Sequence, residues 1–200
     1  MAGTCCIFWD NSNIFIPAQE VASKRDGAVF GPDLRIHFQN LWNLARAGRT
    51  VTAGVCVGSL PPELEDVWDQ LRSTGADLEL FERGAASGRE QAVDQALQIH
   101  MMHALVDQPP GVAVLLTGDG AGYHEGRGFH ADLERMHNRG WGIEVLSWEN
   151  ACHPRLKSWA QDKGVFVALD DFYNSITFLK NVRPVQRTTK RRAVATPTIA

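Results

Sequence analysis

The sequence predicts an α/β fold, a three-layer sandwich in which helices cover both faces of a mostly parallel central sheet. Short apolar and β-branched stretches alternate along the chain with stretches whose apolar residues recur at helical spacing. This alternation is typical of βαβ units, which place their strands in parallel. A chain of 200 residues with 44% hydrophobic content is also long enough to bury one core.

The first half of the chain shows this alternation clearly. Residues 4–9 are apolar and predict a short buried strand, and 32–48 predicts a helix because its apolar residues recur at helical spacing. The β-branched stretch 50–58 predicts the second strand. Two prolines then begin a helix that ends at Gly75, and 77–82 predicts the third strand.

The second half continues in the same order. Residues 89–106 predict a long helix, and 112–117 predicts the most apolar strand of the chain, which ends at a glycine-rich turn. A helix over 129–140 and a strand over 142–148 follow. A short further helix then leads to an edge strand at 165–169, so the pattern predicts six strands joined mainly by helices.

The composition divides the chain into a domain and a tail. We assign residues 1–180 to one domain and 181–200 to a basic, disordered tail, because the tail contains five Lys or Arg residues, no acid and little apolar patterning. The domain is therefore more acidic than the net charge of −3 indicates. The tail either contacts a polyanion or is simply a solubilising end.

Several classes of protein are disfavoured by the sequence. No uninterrupted apolar stretch is long enough to span a membrane, and the N-terminus lacks the pattern of a secretory signal, so we expect a soluble, cytoplasmic protein without membrane contact. The cysteines do not form paired CxxC motifs, so we expect buried or free thiols rather than a disulfide framework or a zinc ribbon. They are Cys5, Cys6, Cys56 and Cys152.

Acidic residues collect where predicted strands end. Asp10 ends the first strand, Asp119 follows strand 112–117, and Asp94 lies in the first turns of the helix 89–106. In open α/β sheets, ligands bind beyond the carboxyl ends of the strands. Converging carboxylates repel one another unless a proton or cation offsets their charge, and hard oxygen ligands select Mg²⁺ or Mn²⁺.

Two asparagines follow the first of these acids. Asn11 and Asn13 offer neutral oxygens that complete or orient a metal shell around Asp10. The alternative is that Asp10 and Asn13 only cap the segment after the strand, as these residue types commonly do. The second acid, in the sequence TGDG at another strand end, favours the metal site.

An ordered set of motifs resembles a known family. The stretches CCIFWDNSNIFI, REQAVDQAL and AVLLTGDGAGY occur in that order, followed by GWGIEVLSWENACHPRLKSWA and VALDDFYNSITF. Residues 4–173 thereby resemble the NYN domain, a branch of the PIN-like nucleases. The resemblance implies a PIN-like fold and metal-dependent cleavage of RNA that leaves a 5′-phosphate.

The resemblance also implies roles for individual residues. Asp10, Asn13, Asp94 and Asp119 fall on matched positions and are implied to be catalytic, with the three acids holding Mg²⁺ or Mn²⁺. Activity as an endonuclease is the expected mode, on single-stranded or structured RNA.

Two positions depart from the family pattern. Many relatives carry a further acid where this chain has Ala121 and another near His100. Fewer carboxylates favour a single metal, or a catalytically weakened domain that binds RNA or a protein partner instead. A homodimer or a regulatory partner also stays open.

Contacts to RNA are expected around the same site. Backbone amides and hydroxyls bind phosphate oxygens, arginines pair with them, and an aromatic ring stacks on a base. The candidates are Asn11, Thr117, Gly118, Gly120, Tyr123, Arg89 and Arg127, with Arg139 on an adjoining loop. Trp148 lies within an apolar strand and is expected in the core instead.

Other interpretations fit less well. GDGAGYHEGRG lacks both the spacing and the position of a dinucleotide-binding loop, and no P-loop motif occurs. A DxSxS adhesion site fits Asp10 and Ser12 but not Ile14. A zinc site would need several scattered histidines to meet, although His124, close after the turn, is a candidate auxiliary base.

Overall fold

In the computed structural model of the protein, residues 3–60, 65–82, 89–180 and 192–197 are described. The strands in these ranges are β1 (Thr4–Asp10), β2 (Leu34–Ile36), β3 (Thr50–Leu60), β4 (Asp77–Glu82), β5 (Val112–Leu116), β6 (Gly142–Ser147), β7 (Val165–Ala168) and β8 (Thr177–Leu179). The α-helices are α1 (Asn11–Arg25), α2 (Phe38–Arg46), α3 (Glu65–Arg72), α4 (Arg89–Asp107), α5 (Gly128–His137), α6 (Pro154–Lys163) and α7 (Tyr173–Ile176).

Six of the strands form one parallel sheet in the order β4-β3-β1-β5-β6-β7. The central strands β1, β5 and β6 are almost wholly buried, as expected for a parallel sheet covered on both faces. Because all six strands run the same way, they end at one side of the sheet, here called the carboxyl end. Strands β2 and β8 pair antiparallel in a separate ribbon.

The sheet separates two hydrophobic cores. Side chains of β1 alternate between them, with Ile7 and Trp9 on one face and Cys6 and Phe8 on the other. Helices α1 and α2 pack on the first face, whereas α4, α5 and α6 pack on the second. The predicted three-layer α/β sandwich is therefore confirmed.

The sequence predicted the six sheet strands closely but misplaced the elements between β1 and β3. The predicted helix 32–48 is instead a 3-10 turn at Ala28–Asp33, the strand β2 and the shorter helix α2. Helix α1 was not predicted at all. Its buried side chains are small or polar apart from Ile14, and Pro17 lies inside it, so it lacks an amphipathic signal.

Other features of the described chain concern thiols and membranes. The four cysteines are free and buried, as expected. Within the described ranges, no helix combines the length and apolar character that crossing a bilayer requires.

A buried ion cluster joins the end of α2 to β6 and the C-terminal segment. Glu144 is fully buried, and its carboxylate accepts two hydrogen bonds from Arg49 and one from Arg192, each at 2.7 Å. The Ala195 backbone N–H donates to the same carboxylate at 2.7 Å. Residues 192–197 therefore contact the domain, which departs from the disorder expected for this part of the tail.

The cluster determines the protonation of Glu144. Burial alone would raise the pKa of its carboxyl group, but the hydrogen bonds and charges of Arg49 and Arg192 outweigh burial and leave the pKa below its ordinary value. A lowered carboxyl pKa stabilises the fold above the unfolded-state pKa. That contribution is lost as the pH falls through the folded-state pKa.

Replacing Glu144 tests this cluster. We expect Glu144→Ala to lower the free energy of unfolding by about 3–5 kcal/mol at pH 7, because it leaves Arg49 buried without its carboxylate. Arg192→Ala should cost less, about 1.5–3 kcal/mol, since Arg49 still pairs with Glu144. Urea unfolding at pH 7 and in acid measures both, and the cost of Glu144→Ala should shrink in acid.

Arg72→Ala is the control for this test. Arg72 pairs with Asp69 on the surface of α3, where an ion pair is worth at most about 1 kcal/mol. An equal cost for Arg72→Ala and Glu144→Ala would show that the buried cluster does not stabilise the fold.

Candidate active site

Asp10 occupies the junction between β1 and α1 at the carboxyl end of the sheet. Its Oδ1 accepts a hydrogen bond from the Asn13 backbone N–H at 3.0 Å, and its Oδ2 accepts one from Asn13 Nδ2 at 2.6 Å. Asp10 is therefore the N-cap of α1. The capping role considered as an alternative is confirmed, and it explains why an acid and an asparagine stand three residues apart.

The environment of Asp10 disfavours its charged form. The residue is only 1% exposed, and this burial raises the pKa of its carboxyl group. The hydrogen bonds from Asn13 act in the opposite direction, whereas the negative charge of Asp119 raises the pKa further. Asp119 follows β5, the strand that pairs with β1, so its negative charge opposes the ionisation of Asp10.

No fixed cation offsets this repulsion in the part of the chain that the structure describes. The ion pairs found there involve neither Asp10 nor Asp119. A buried acid beside a second acid, without an arginine or lysine partner, is typical of functional sites rather than of structural ion pairs.

Asp119 lies on the turn after β5, which pairs directly with β1. The Asp119 backbone N–H donates to Thr117 Oγ1 at 3.2 Å, and Asp119 Oδ1 accepts from the Ala121 N–H at 3.0 Å. Thr117 is fully buried, so in this structure its hydroxyl shapes the turn. Asp119 itself is partly exposed and can still reach a ligand.

The glycines on either side of Asp119 allow close packing against the turn that follows β6. A Cβ atom at Gly118 would lie 2.5 Å from the Ala151 carbonyl oxygen, and one at Gly120 would lie 2.7 Å from His153 Cβ. The His153 N–H also donates to the Gly118 carbonyl at 2.8 Å. Both glycines therefore have a packing reason that is independent of the predicted phosphate contacts.

The predicted shell of three carboxylates is not assembled in the described residues. No group of three or more Asp, Glu, His or Cys side chains lies close enough there to hold a metal ion. Asp94 is partly buried in the second turn of α4, the helix that follows β4 and so begins near the carboxyl end of the sheet. Mutual repulsion opposes closer approach of the three acids unless a cation offsets it.

Asn11 adds an unpaired oxygen to this region. The residue is 7% exposed, and its Oδ1 is buried without a hydrogen-bond partner among the described residues. A buried carbonyl oxygen without a donor is costly, and coordination of a cation or water would relieve that cost. The groups next to Asp10 that could bind a metal are thus oxygens, the ligand type that Mg²⁺ and Mn²⁺ prefer.

Tyr123 is already engaged on one side of its ring. It stacks on His130 with the ring centroids 3.9 Å apart and the planes at 15°, and its hydroxyl lies 3.4 Å from the Glu134 carboxylate. Burial lowers the pKa of His130, which favours its neutral form. Only the opposite face of Tyr123 could stack on a base.

The predicted arginines differ in position. Arg127 caps the start of α5 and is exposed, with Glu125 3.7 Å away. Arg89 begins α4, but its side chain is outside the described residues. Arg139 follows α5 and immediately precedes β6, so it lies at the opposite end of the sheet, and its predicted place near the site was wrong.

Two further residues contact other parts of the domain. Trp148 is fully buried, and its Nε1–H donates to the Ile14 carbonyl at 2.8 Å, which confirms the expected place in the core. His100 contacts Glu79 at 2.8 Å across α4 and β4.

One contact near the acidic turn could not be predicted from any local sequence pattern. Arg155 Nη1, in the first turn of α6, lies 3.4 Å from His124 Nδ1, in the short 3-10 turn after Asp119. The two residues are 31 positions apart, and the packing of Gly118 and Gly120 against Ala151 and His153 brings their segments together.

Comparisons with known proteins agree with this architecture. A family model described as the NYN domain matches residues 4–163. A crystal structure of a protein of unknown function from Vibrio parahaemolyticus is similar, with a TM-score of 0.61 and 17% identity over 85% of this chain and 94% of that one. At this level of identity, the similarity shows the fold alone. A comparison with curated proteins found no significant match. Because the family match covers most of the chain, the protein belongs to the NYN domain family of the PIN-like nuclease superfamily.

Proposed function

We propose that this protein is a divalent-metal-dependent ribonuclease that cleaves RNA internally at the carboxyl end of its sheet. The observation that carries the proposal is that Asp10 and Asp119 stand at the carboxyl ends of the paired strands β1 and β5 of an NYN domain, where the charge of Asp119 acts on Asp10. Asp10 is buried, its pKa is raised, and no fixed cation pairs with either acid in the described residues. Such a site favours an exchangeable cation.

The oxygen donors present fit Mg²⁺ or Mn²⁺. Asp10 and Asp119 would hold the ion, with Asp94 as the proposed third carboxylate and Asn11 Oδ1 as a neutral donor. When bound, such an ion neutralises charge on the phosphoryl group and activates a water molecule for attack.

The chain's own residues hold these donors in place. Asn13 fixes both oxygens of Asp10 through its backbone and side-chain amides, so the carboxylate keeps one orientation. The Ala121 N–H holds one oxygen of Asp119 and leaves the other available. This arrangement limits the reorganisation needed when a charged substrate binds.

A second candidate function keeps the fold without the cleavage step. Ala121 provides no carboxylate, and His100 contacts Glu79 on β4. With no cluster of three ligating side chains in the described residues, a domain that binds RNA or a protein partner without cutting RNA is the alternative.

Replacing Asp119 separates the two functions. We expect Asp119→Asn to lower the rate of Mn²⁺-dependent cleavage of a labelled single-stranded RNA at least about 100-fold, because it removes a charged ligand worth several kcal/mol. The asparagine can still accept the Ala121 N–H, so the fold should be retained. Circular dichroism checks the fold, and a gel-based assay measures cleavage.

Asp162→Asn is the matched control, since Asp162 is exposed on α6 and its one ion pair within the described residues is with its neighbour Lys163. Equal cleavage by wild type, Asp119→Asn and Asp162→Asn would refute the assignment of Asp119. Mn²⁺ binding by a wild type that does not cleave RNA would support the second candidate.

The raised pKa of Asp10 predicts how stability depends on pH and metal. In the metal-free protein the folded state binds the Asp10 proton more tightly than the unfolded state, so stability should fall as the pH rises from the unfolded-state carboxyl pKa through the raised one. Asp10→Asn should remove this part of the pH dependence, because asparagine does not titrate and also caps helices well.

Added metal should act in the opposite direction. We expect Mn²⁺ at about 100 times its dissociation constant to stabilise the wild type by about 2.7 kcal/mol, a rise in Tm of several degrees. Asp10→Asn should show a much smaller rise. Thermal denaturation at several pH values, with and without Mn²⁺, measures both effects, and an equal Mn²⁺ shift in the variant would exclude Asp10 as a ligand.

A further inference from the structure

The turn that carries Asp119 is fixed against the start of α6. Gly118 and Gly120 contact Ala151 and His153 so closely that neither position has space for a Cβ atom. The hydrogen bond from the His153 N–H to the Gly118 carbonyl ties the same two segments. Arg155, two residues further on, is therefore held beside the acidic turn.

Arg155 has an unusual partner. Its Nη1 lies 3.4 Å from His124 Nδ1, and both residues are exposed. None of the ion pairs of the described residues links Arg155 to a carboxylate. The guanidinium carries five N–H donors, and His124 offers a single imidazole nitrogen as acceptor. Most of the donors of Arg155 therefore stay available to a ligand.

Neighbouring cations are engaged with acids instead. Lys157 pairs with Glu149 at 2.5 Å, and Arg135 pairs with Asp132 at 2.7 Å. Arg127 has Glu125 3.7 Å away. Arg155 thus differs from these three in keeping its guanidinium available next to the acidic turn.

We propose that Arg155 and His124 bind a backbone phosphate of the RNA next to the acidic site. The inference rests on the proposed function, since it places the substrate strand across Asp119. A guanidinium donates two parallel hydrogen bonds to a phosphate, and His124 adds a further donor from the opposite segment. Positive charge here also offsets the repulsion between the substrate phosphates and the two acids.

Phosphate binding rather than base stacking fits this pair best. Both groups are exposed, polar and located on segments that meet at the acidic turn, so they can follow the backbone of a strand that enters the site. Contacts to phosphate position a nucleic acid without reading its sequence. Arg155 is therefore a positioning residue for RNA of any sequence.

Binding without turnover is the direct test. The affinity for a labelled single-stranded RNA is measured by fluorescence anisotropy in EDTA over a range of salt concentrations. We expect Arg155→Ala to weaken binding about 5–10-fold and to reduce the salt slope by about one phosphate contact, and His124→Ala to have a smaller effect. Arg155→Lys should recover part of the affinity, because it keeps the charge but loses the planar fork.

Arg139→Ala is the matched control, since Arg139 is an exposed arginine at the opposite end of the sheet and its loss removes the same charge. Equal affinity and salt slope for wild type, Arg155→Ala and Arg139→Ala would overturn the proposal. An equal loss in Arg155→Ala and Arg139→Ala would also overturn it, because the effect would then be general electrostatics.

Cleavage assays with Mn²⁺ distinguish this proposal from the nuclease function. If Arg155→Ala weakens RNA binding in EDTA while the wild type cleaves nothing, the phosphate contact stands and the nuclease assignment fails. If the wild type cleaves RNA and depends on Asp119 while Arg155→Ala binds and cleaves normally, the phosphate contact fails and the nuclease assignment stands. A raised KM with little change in kcat is the expected result for Arg155→Ala.

Discussion

The parallel pairing of β1 with β5 is the constraint on which the candidate site depends. Their register places Trp9 opposite Leu116, so Asp10, the last residue of β1, and the turn after β5 that contains Asp119 emerge side by side. The strands are apolar and buried on both faces, and a register shift would disrupt both cores. The hydrophobic effect that aligns the strands thus also provides the energy to hold two carboxylates near each other.

This arrangement places Asp10 under two influences that act on the charge of its carboxyl group in opposite directions. As the N-cap of α1 it accepts hydrogen bonds from Asn13, which favour its charged form. As a buried group beside Asp119 it is destabilised when charged. The capping hydrogen bonds orient the carboxylate without neutralising it, and a neighbouring positive charge would stabilise it. Capping and cation binding are therefore compatible interpretations of the same residues.

The features that could be predicted from the sequence were those encoded locally. An apolar strand can be recognised from a short stretch of sequence. An acid at the end of such a strand can then be assigned to the carboxyl end of the sheet, as for Asp10 and Asp119. Helix α1 could not be predicted because its buried side is small and polar. Contacts between distant segments, such as Arg155 with His124 or Tyr123 stacked on His130, leave no local pattern.

Two buried acids in the same sheet have opposite electrostatic environments. Glu144 on β6 is surrounded by Arg49 and Arg192, and these fixed cations lower its pKa despite full burial. Asp10 on β1 is nearly as buried, and burial raises its pKa because no fixed cation among the described residues offsets it; the charge of Asp119 raises the pKa further. Arginines can therefore neutralise a buried carboxylate in this fold, as they do for Glu144, and Asp10 differs because it has the charge of Asp119 beside it instead. Among the described residues, Asp10 and Asp119 have no such partners, which costs stability in the metal-free protein, and an exchangeable cation would recover that cost on binding.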